Sequence, residues 1–242
     1  MHYKMYNVMH TACLTSLDVV FVVDASGSIT ERDPEGWTRV KEFLVQVVQS
    51  FAVGKDLVRV GITVFSNEAE SLRARGAPTF KVWGLLDYTD IRTLVERINQ
   101  LEYVGGFTNT QDGLRVAGEE LLQAPGDRAN VQNLVIVITD GVSNVRVDRL
   151  EPEAQALQQV ATVIAIGVTD QISIDELNLI ASQDDAGREL TLFADKFNLL
   201  AGQIQNLLDE TCNAVQPTAP PRPGEIHCGF GSTNCMLFVQ CT

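Results

Sequence analysis

The interior of this chain contains no histidine and no cysteine. His2, His10 and His227, and Cys13, Cys212, Cys228, Cys235 and Cys241, all lie in the terminal segments of the 242 residues. A mechanism that needs an imidazole base, a thiolate nucleophile or a zinc cage finds no such residue in the body of the domain. Positive charge is scarce as well, with 18 Lys and Arg against 31 Asp and Glu, a formal net charge of −13. A long-range field of that sign repels nucleic acid, heparin-like polymers and anionic membranes, although a single cation-filled pocket could still attract a carboxylate locally. The longest apolar stretches are strand-sized, well short of a membrane span, so no membrane insertion by this segment is expected. Met1 to Ala12 is polar and mixed and shows no secretory signal. A signal already removed, or a longer chain whose start is missing, would each leave such a beginning.

Enzyme signatures are missing too. There is no G-x-S-x-G elbow and no G-x-x-x-x-G-K-[ST] loop. A phosphoaspartyl enzyme also sets an Asp after a buried strand, but typically with a second carboxylate two residues later, where this chain has Ser26. The sequence reads as a non-enzyme.

What is present is an alternation of strands and helices. With 45% hydrophobic content, the chain can bury one full-sized core and still carry a short appendage, so one main domain is expected. Strands are read at Leu17 to Val23, Val58 to Phe65, Leu134 to Ile138, Val163 to Gly167 and Leu190 to Ala194, with Phe80 to Leu85 returning as an antiparallel edge strand. Asp33 as N-cap and Pro34 at the first helical position open a helix carrying Trp37, Val40, Leu44, Val47, Val48 and Phe51, which Gly54 is placed to end. Thr89 caps a short helix bearing Ile91, Leu94, Val95 and Ile98. The loop Gly105 to Thr110 opens into a helix that buries Leu114, Ala117, Leu121 and Leu122, and Pro152 starts the next, with Ala154, Leu157 and Ala161. Ser173 with Glu176 forms a capping-box pattern, flanked by Ile172 and Leu177 as a hydrophobic staple. A final helix, Lys196 to Glu210, lines up Phe197, Leu200, Ile204, Leu207 and Leu208. Such an alternation specifies an α/β fold, a doubly wound, mostly parallel sheet between helices on both faces.

The domain boundaries follow from composition. Residues 1–13 form an N-terminal segment, 14–211 the main domain, 212–224 a stiff proline-rich linker, and 225–242 a cysteine-containing tail too short to fold by its own core. Its three cysteines suggest the start of a further disulfide module.

The candidate site begins at Asp24-Ala25-Ser26-Gly27-Ser28, directly after the first strand. Asp24, Ser26 and Ser28 offer a carboxylate and two hydroxyls at alternate positions. All are hard ligands, suited to Mg²⁺, Mn²⁺ or Ca²⁺ rather than zinc or copper. A lone D-x-S-x-S is weak, because Asp and Ser are ordinary turn formers. Two further segments strengthen it: Thr108 in a glycine-flanked loop entering a helix, and Asp140 at the end of the central strand. Asp112 reads equally as a support behind a ligand or as a first-turn acid favoured by the helix dipole. Thr110 reads as a helix cap ahead of a support to the site. Ser143 and Asn144 shape the turn after Asp140, and Ser66 borders the site. Arg73 and Arg75 read as a solvated loop, and Trp37, Phe43 and Phe51 as core.

Together DASGSI, GGFTNT and IVITDG resemble the von Willebrand factor type A domain with its metal ion-dependent adhesion site, over roughly residues 14 to 211. The resemblance implies a six-stranded sheet of order 3-2-1-4-5-6, with strands one and four side by side across its switch point. It implies that Ser26 and Ser28 bind the metal directly, that Asp24, Thr108 and Asp140 bind directly or through water, and that a partner's Glu or Asp completes the shell. The functional class so implied is a divalent-cation-dependent adhesion or recognition module of an extracellular protein, secreted or an ectodomain. The alternative is a regulatory or scaffolding module in a secreted assembly such as a protease zymogen. On this fold Cys13 precedes the first strand and Cys212 follows the last helix, which runs antiparallel to it, so the two are expected to form a disulfide at the pole opposite the metal. The last helix is also where family members that switch affinity move, although a fixed helix suits a matrix module better.

Overall fold

The computed structural model describes residues 16–67, 81–123, 126–203 and 206–207. Cys13, Cys212, the linker, the tail, Arg73 and Arg75 lie outside them, as does part of the expected last helix.

Six strands form one sheet: β1 (Leu17–Asp24), β2 (Val58–Phe65), β3 (Lys81–Trp83), β4 (Asn133–Thr139), β5 (Thr162–Val168) and β6 (Thr191–Ala194). Their order is β3-β2-β1-β4-β5-β6, and only β3 is antiparallel to its neighbour. The expected strand order and the antiparallel edge are both present. Every residue of β1 is buried, as an apolar strand at the centre of a parallel sheet must be.

Side chains of β1 alternate between two cores. Val19, Phe21 and Val23 join one cluster, while Val20 and Val22 join the other. The first cluster is covered by α2 (Gly36–Gln49), through Trp37, Val40, Phe43, Leu44, Val47 and Val48, and by α3 (Ile91–Asn99), through Leu94 and Ile98. Phe197, Leu200 and Leu207 close it. The second lies under α4 (Thr110–Arg115), α5 (Leu150–Gln158) and α6 (Ile174–Ile180). Helices leave β1 and β4 toward opposite faces, which opens a crevice at the ends of those two strands.

Several boundaries differ from the sequence reading, each for a local reason. A one-turn helix, α1 (Ser28–Arg32), intervenes after the Asp24 turn. Asp33 then makes an Asx-type turn, accepting from the Glu35 amide at 3.0 Å, and α2 starts two residues beyond Pro34. That helix ends at Ser50, and Gly54 sits in the following turn, its amide bonded to the Val58 carbonyl. Asp90 caps α3 in place of Thr89, accepting from the Thr93 amide at 2.9 Å. The chain turns helical before Pro152, through Val147–Arg149 and Leu150. Beyond Arg115 the helix widens to a π turn, Val116–Leu121. Phe197–Gln203 is a 3₁₀ helix where an α-helix was expected.

The capping box at Ser173 is half formed. Ser173 accepts from the Glu176 amide at 3.2 Å, but the Glu176 carboxylate turns away to Ser143. Ile172 and Leu177 do meet, over Gly167. A β-carbon there would lie 2.5 Å from the Cδ1 atoms of both, so only glycine lets the pair close on β5.

Candidate metal centre

Asp24 ends β1, and Asp140 follows β4, the parallel neighbour paired with it through Val23 and Ile138. Two carboxylates are thus delivered to adjacent strand ends by sheet register alone. Asp24 is fully buried. Its Oδ1 accepts from the Ser26 amide at 2.8 Å, folding the turn back on itself, and its Oδ2 accepts from the Thr139 hydroxyl at 2.7 Å. A carboxylate has lone pairs beyond those two bonds.

The hydroxyls converge on the same place. Ser26 Oγ lies 3.1 Å from Ser28 Oγ, and Ser28 Oγ donates to Asp140 Oδ1 at 2.6 Å. Thr108 comes from the third segment. A β-carbon on Gly141 would stand 3.7 Å from both Ser28 Oγ and Thr108 Oγ1, so the two hydroxyls flank the Gly141 backbone together. The structure therefore gathers Asp24, Ser26, Ser28, Thr108 and Asp140 around the adjacent ends of β1 and β4.

Backbone bonds lock the three segments to one another. The Gly27 amide donates to the Gly106 carbonyl, the Gly105 amide to the Ala25 carbonyl, and the Asn144 amide to the Thr108 carbonyl. Asn144 Oδ1 in turn accepts from the Thr108 amide at 2.8 Å. Gly106 has φ +98, and a β-carbon there would strike the Asn67 side chain at 2.4 Å. That conformation and that approach both require glycine. Ser66 bonds the Gly105 carbonyl, so it does border the site.

Two residues fall outside the pocket's bonding. Asp112 Oδ1 accepts from Arg115 Nε at 2.8 Å, an i to i+3 pair on its own helix. Thr110 caps nothing: Asn109 holds the N-cap position, no side chain caps α4, and the buried Thr110 hydroxyl has no hydrogen-bond partner.

Three other residues gave no sign in the sequence of a role at this pocket. Arg32 donates from Nη1 to the Asp140 carbonyl at 2.6 Å and to Asp140 Oδ2 at 3.1 Å. It lies four residues after Ser28 on α1, so both side chains share a helix face and reach the same aspartate. Tyr103 sets its hydroxyl against the Ser26 and Gly27 carbonyls. Glu176 accepts from the Ser143 amide and hydroxyl, fixing the turn after Asp140 to α6.

Electrostatics make the pocket hungry for a cation. Burial, and then the Asp140 charge, push the Asp24 carboxyl up to about 6, against the hydrogen bonds of Thr139 and Ser26. Burial also raises Asp140, opposed by the Ser28 hydrogen bond and the Arg32 charge. Two buried acids that resist ionising together are stabilised by a positive ion. Among the described residues no three His, Cys, Asp or Glu side chains converge, so a cation here would depend on hydroxyls as much as on carboxylates. The all-oxygen donor set fits a hard divalent ion.

Comparison with known proteins agrees with this geometry. The model of the von Willebrand factor type A domain matches residues 18–207. The chain is 32% identical over 205 residues to the collagen alpha-5(VI) chain of Mus musculus, covering 84% of this chain and 7% of that one. It is 28% identical over 183 residues to integrin alpha-11 of the same species, covering 72% and 14%. The chain thus spans only a small part of these relatives. Among solved structures, proximal thread matrix protein 1 from the mussel byssus, with a zinc-occupied MIDAS motif, superposes with a TM-score of 0.71 at 27% identity, over 84% of this chain and 47% of that one. No helix among the described residues is long and apolar enough to cross a membrane. With the sheet order, the three converging segments and a family match across the whole sheet, this chain belongs to the von Willebrand factor type A domain family.

Proposed function

We propose that this domain is a divalent-cation-dependent adhesion and protein-recognition module of an extracellular protein, secreted or part of an ectodomain. Asp24, Ser26, Ser28, Thr108 and Asp140 hold the ion, Mg²⁺ by preference with Mn²⁺ or Ca²⁺ as substitutes. A partner protein supplies a Glu or Asp to the same ion. The observation that carries this reading is the convergence of three separate segments on one buried, all-oxygen pocket that contains two acids and leaves them under-neutralised. When bound, the cation supplies an electrophilic anchor for the partner's carboxylate.

The chain's own residues do the rest. Asp24 is oriented by Thr139 and the Ser26 amide, Ser28 aligns Asp140, and the glycine loop keeps Thr108 over the turn. Collagens and an integrin as relatives support an extracellular binding role and no catalysis. Asp112 and Thr110 make no bond to any of these five side chains.

The test is Asp24→Ala with Mg²⁺ alone as the probe, followed by calorimetry. Removing one of two carboxylates should weaken Mg²⁺ by at least about a hundredfold, since even residues behind the ligands cost 10- to 100-fold. Undiminished affinity would refute the assignment. Unfolding of the metal-free variant should be no easier than that of the metal-free native chain, because the acids repel each other across the pocket.

A further inference from the structure

We propose that Arg32 sets the charge of the loaded site, weakening its hold on the cation and strengthening its hold on an anionic partner. This inference rests on the function proposed above and deepens it. Asp140 divides its oxygens: Oδ1 takes the Ser28 hydroxyl at 2.6 Å, inside the pocket, and Oδ2 takes Arg32 Nη1 at 3.1 Å, at its rim. The Arg32 side chain is 36% exposed while that of Asp140 is fully covered. Only Nη1 of the guanidinium is engaged, by Asp140, among the described residues. The other nitrogens of the guanidinium are left for whatever docks on the pocket.

The charge count shows the consequence. Asp24 and Asp140 contribute −2, Arg32 contributes +1 and a divalent ion +2, so the loaded pocket carries a net +1. Without Arg32 the same pocket would carry no net formal charge and attract an anion through the ion alone. Glu31, beside Gly27, and Glu176, on Ser143, also face this region, but they contribute equally with or without Arg32. The guanidinium also repels the incoming cation and occupies one carboxylate oxygen. Arg32 thus shifts binding from the ion to the partner.

A merely supporting role makes the opposite forecast. If Arg32 only propped Asp140 in place, its loss would loosen a ligand and weaken the cation. The experiment compares the native chain with Arg32→Gln and Arg32→Lys, using Mn²⁺ alone, counted by the electron paramagnetic resonance of the free ion. Acetate is then titrated onto the Mn²⁺-loaded proteins and followed by loss of solvent-proton relaxation. Arg32→Gln is expected to bind Mn²⁺ about tenfold more tightly, the size of a repulsion between a single and a double charge several ångströms apart near water. It is expected to bind acetate at least about threefold more weakly, while Arg32→Lys, which keeps the charge, stays within about twofold of the native chain on both readings. Weaker Mn²⁺ binding in Arg32→Gln, or unchanged acetate affinity, would overturn this inference while leaving the metal site standing. A native chain that bound no Mn²⁺ would overturn both. Thermal unfolding confirms that each variant is folded, and Arg32→Ala makes the same charge change should Arg32→Gln fold poorly.

Discussion

Tyr103 places its hydroxyl 2.8 Å from the Ser26 carbonyl and 3.2 Å from that of Gly27, while accepting from the Thr30 hydroxyl at 2.9 Å. One phenol therefore braces the backbone of the Asp24 turn from behind. Tyr103→Phe should cost about 1 kcal/mol of stability, the scale of one part-buried hydrogen bond. It should also lower Mg²⁺ affinity several-fold, as residues behind metal ligands do. Calorimetry with Mg²⁺ and urea unfolding give the two readings. A variant that lost stability but bound Mg²⁺ like the native chain would remove Tyr103 from the site's design.

Acid should stabilise the metal-free protein over a defined window. Burial and the Asp140 charge push the Asp24 carboxyl up to about 6 in the folded chain, from an ordinary value of 3.8. The folded state therefore binds more protons than the unfolded one between those values. The stability this group contributes is fully present below about pH 4 and is lost as pH rises through 6, a difference of about 3 kcal/mol. Urea unfolding in metal-free buffer from pH 4 to 7 should show that decline, and Asp24→Asn should flatten it. Protons should also displace the cation below pH 6. A native profile as flat as that of Asp24→Asn would contradict the buried-acid account.

Arg128 and Asp18 should matter for folding and not for the metal. Asp18, at the far end of β1, is fully buried, and Arg128 meets it through Nη2 at 2.6 Å, Nε at 3.0 Å and its own amide at 3.0 Å. The guanidinium also donates to the Leu17 and Leu57 carbonyls. Arg128→Ala strands a buried carboxylate and should cost about 3–5 kcal/mol, with Mg²⁺ affinity unchanged wherever the variant is folded. Adding Asp18→Asn should recover part of the loss. A cost below about 1 kcal/mol, as for an exposed ion pair, would mean that water reaches Asp18.

Gly167→Ala should destabilise by about 1–3 kcal/mol, because the new methyl would overlap the tips of Ile172 and Leu177 in a packed core. Those tips can shift, so the fold should survive. Thermal unfolding measures the cost, and an unchanged midpoint would show the pair to be loosely packed.

Much of this architecture was legible in the sequence because burial writes itself into strands. Val19 to Val23 and Leu134 to Ile138 are unbroken apolar runs, and only a strand covered on both faces needs one. Asp24, Ser26, Ser28, Thr108 and Asp140 stood out as a candidate set because hard oxygen donors recur at two strand ends and in a glycine loop, and the fold does place those three segments side by side. Arg32, Tyr103 and Glu176 did not. Each acts on a segment more than thirty residues away, and nothing local distinguishes it from an ordinary surface arginine, a core-edge tyrosine or a capping-box glutamate. Helix starts slipped for a related reason: Asp33 and Asp90 both have the chemistry of a cap, and only the path of the chain decides which one serves.

The pairing of β1 has a mechanical side. It lies between β2 and β4, parallel to both, matched to β2 over Leu17 to Asp24 and to β4 over Asp18 to Val23. The chain enters this strand at one end, and the pocket sits at the other. A load transmitted from a gripped partner to the preceding chain would run along the strand axis, across two ladders pulled in shear. Every rung of both would have to give at once, whereas a strand peeled from an edge yields one bond at a time. Force spectroscopy that grips the pocket and the N-terminal side should therefore record one high rupture event, ahead of any loss of β3 or β6, and a low stepwise trace would show that tension takes another route.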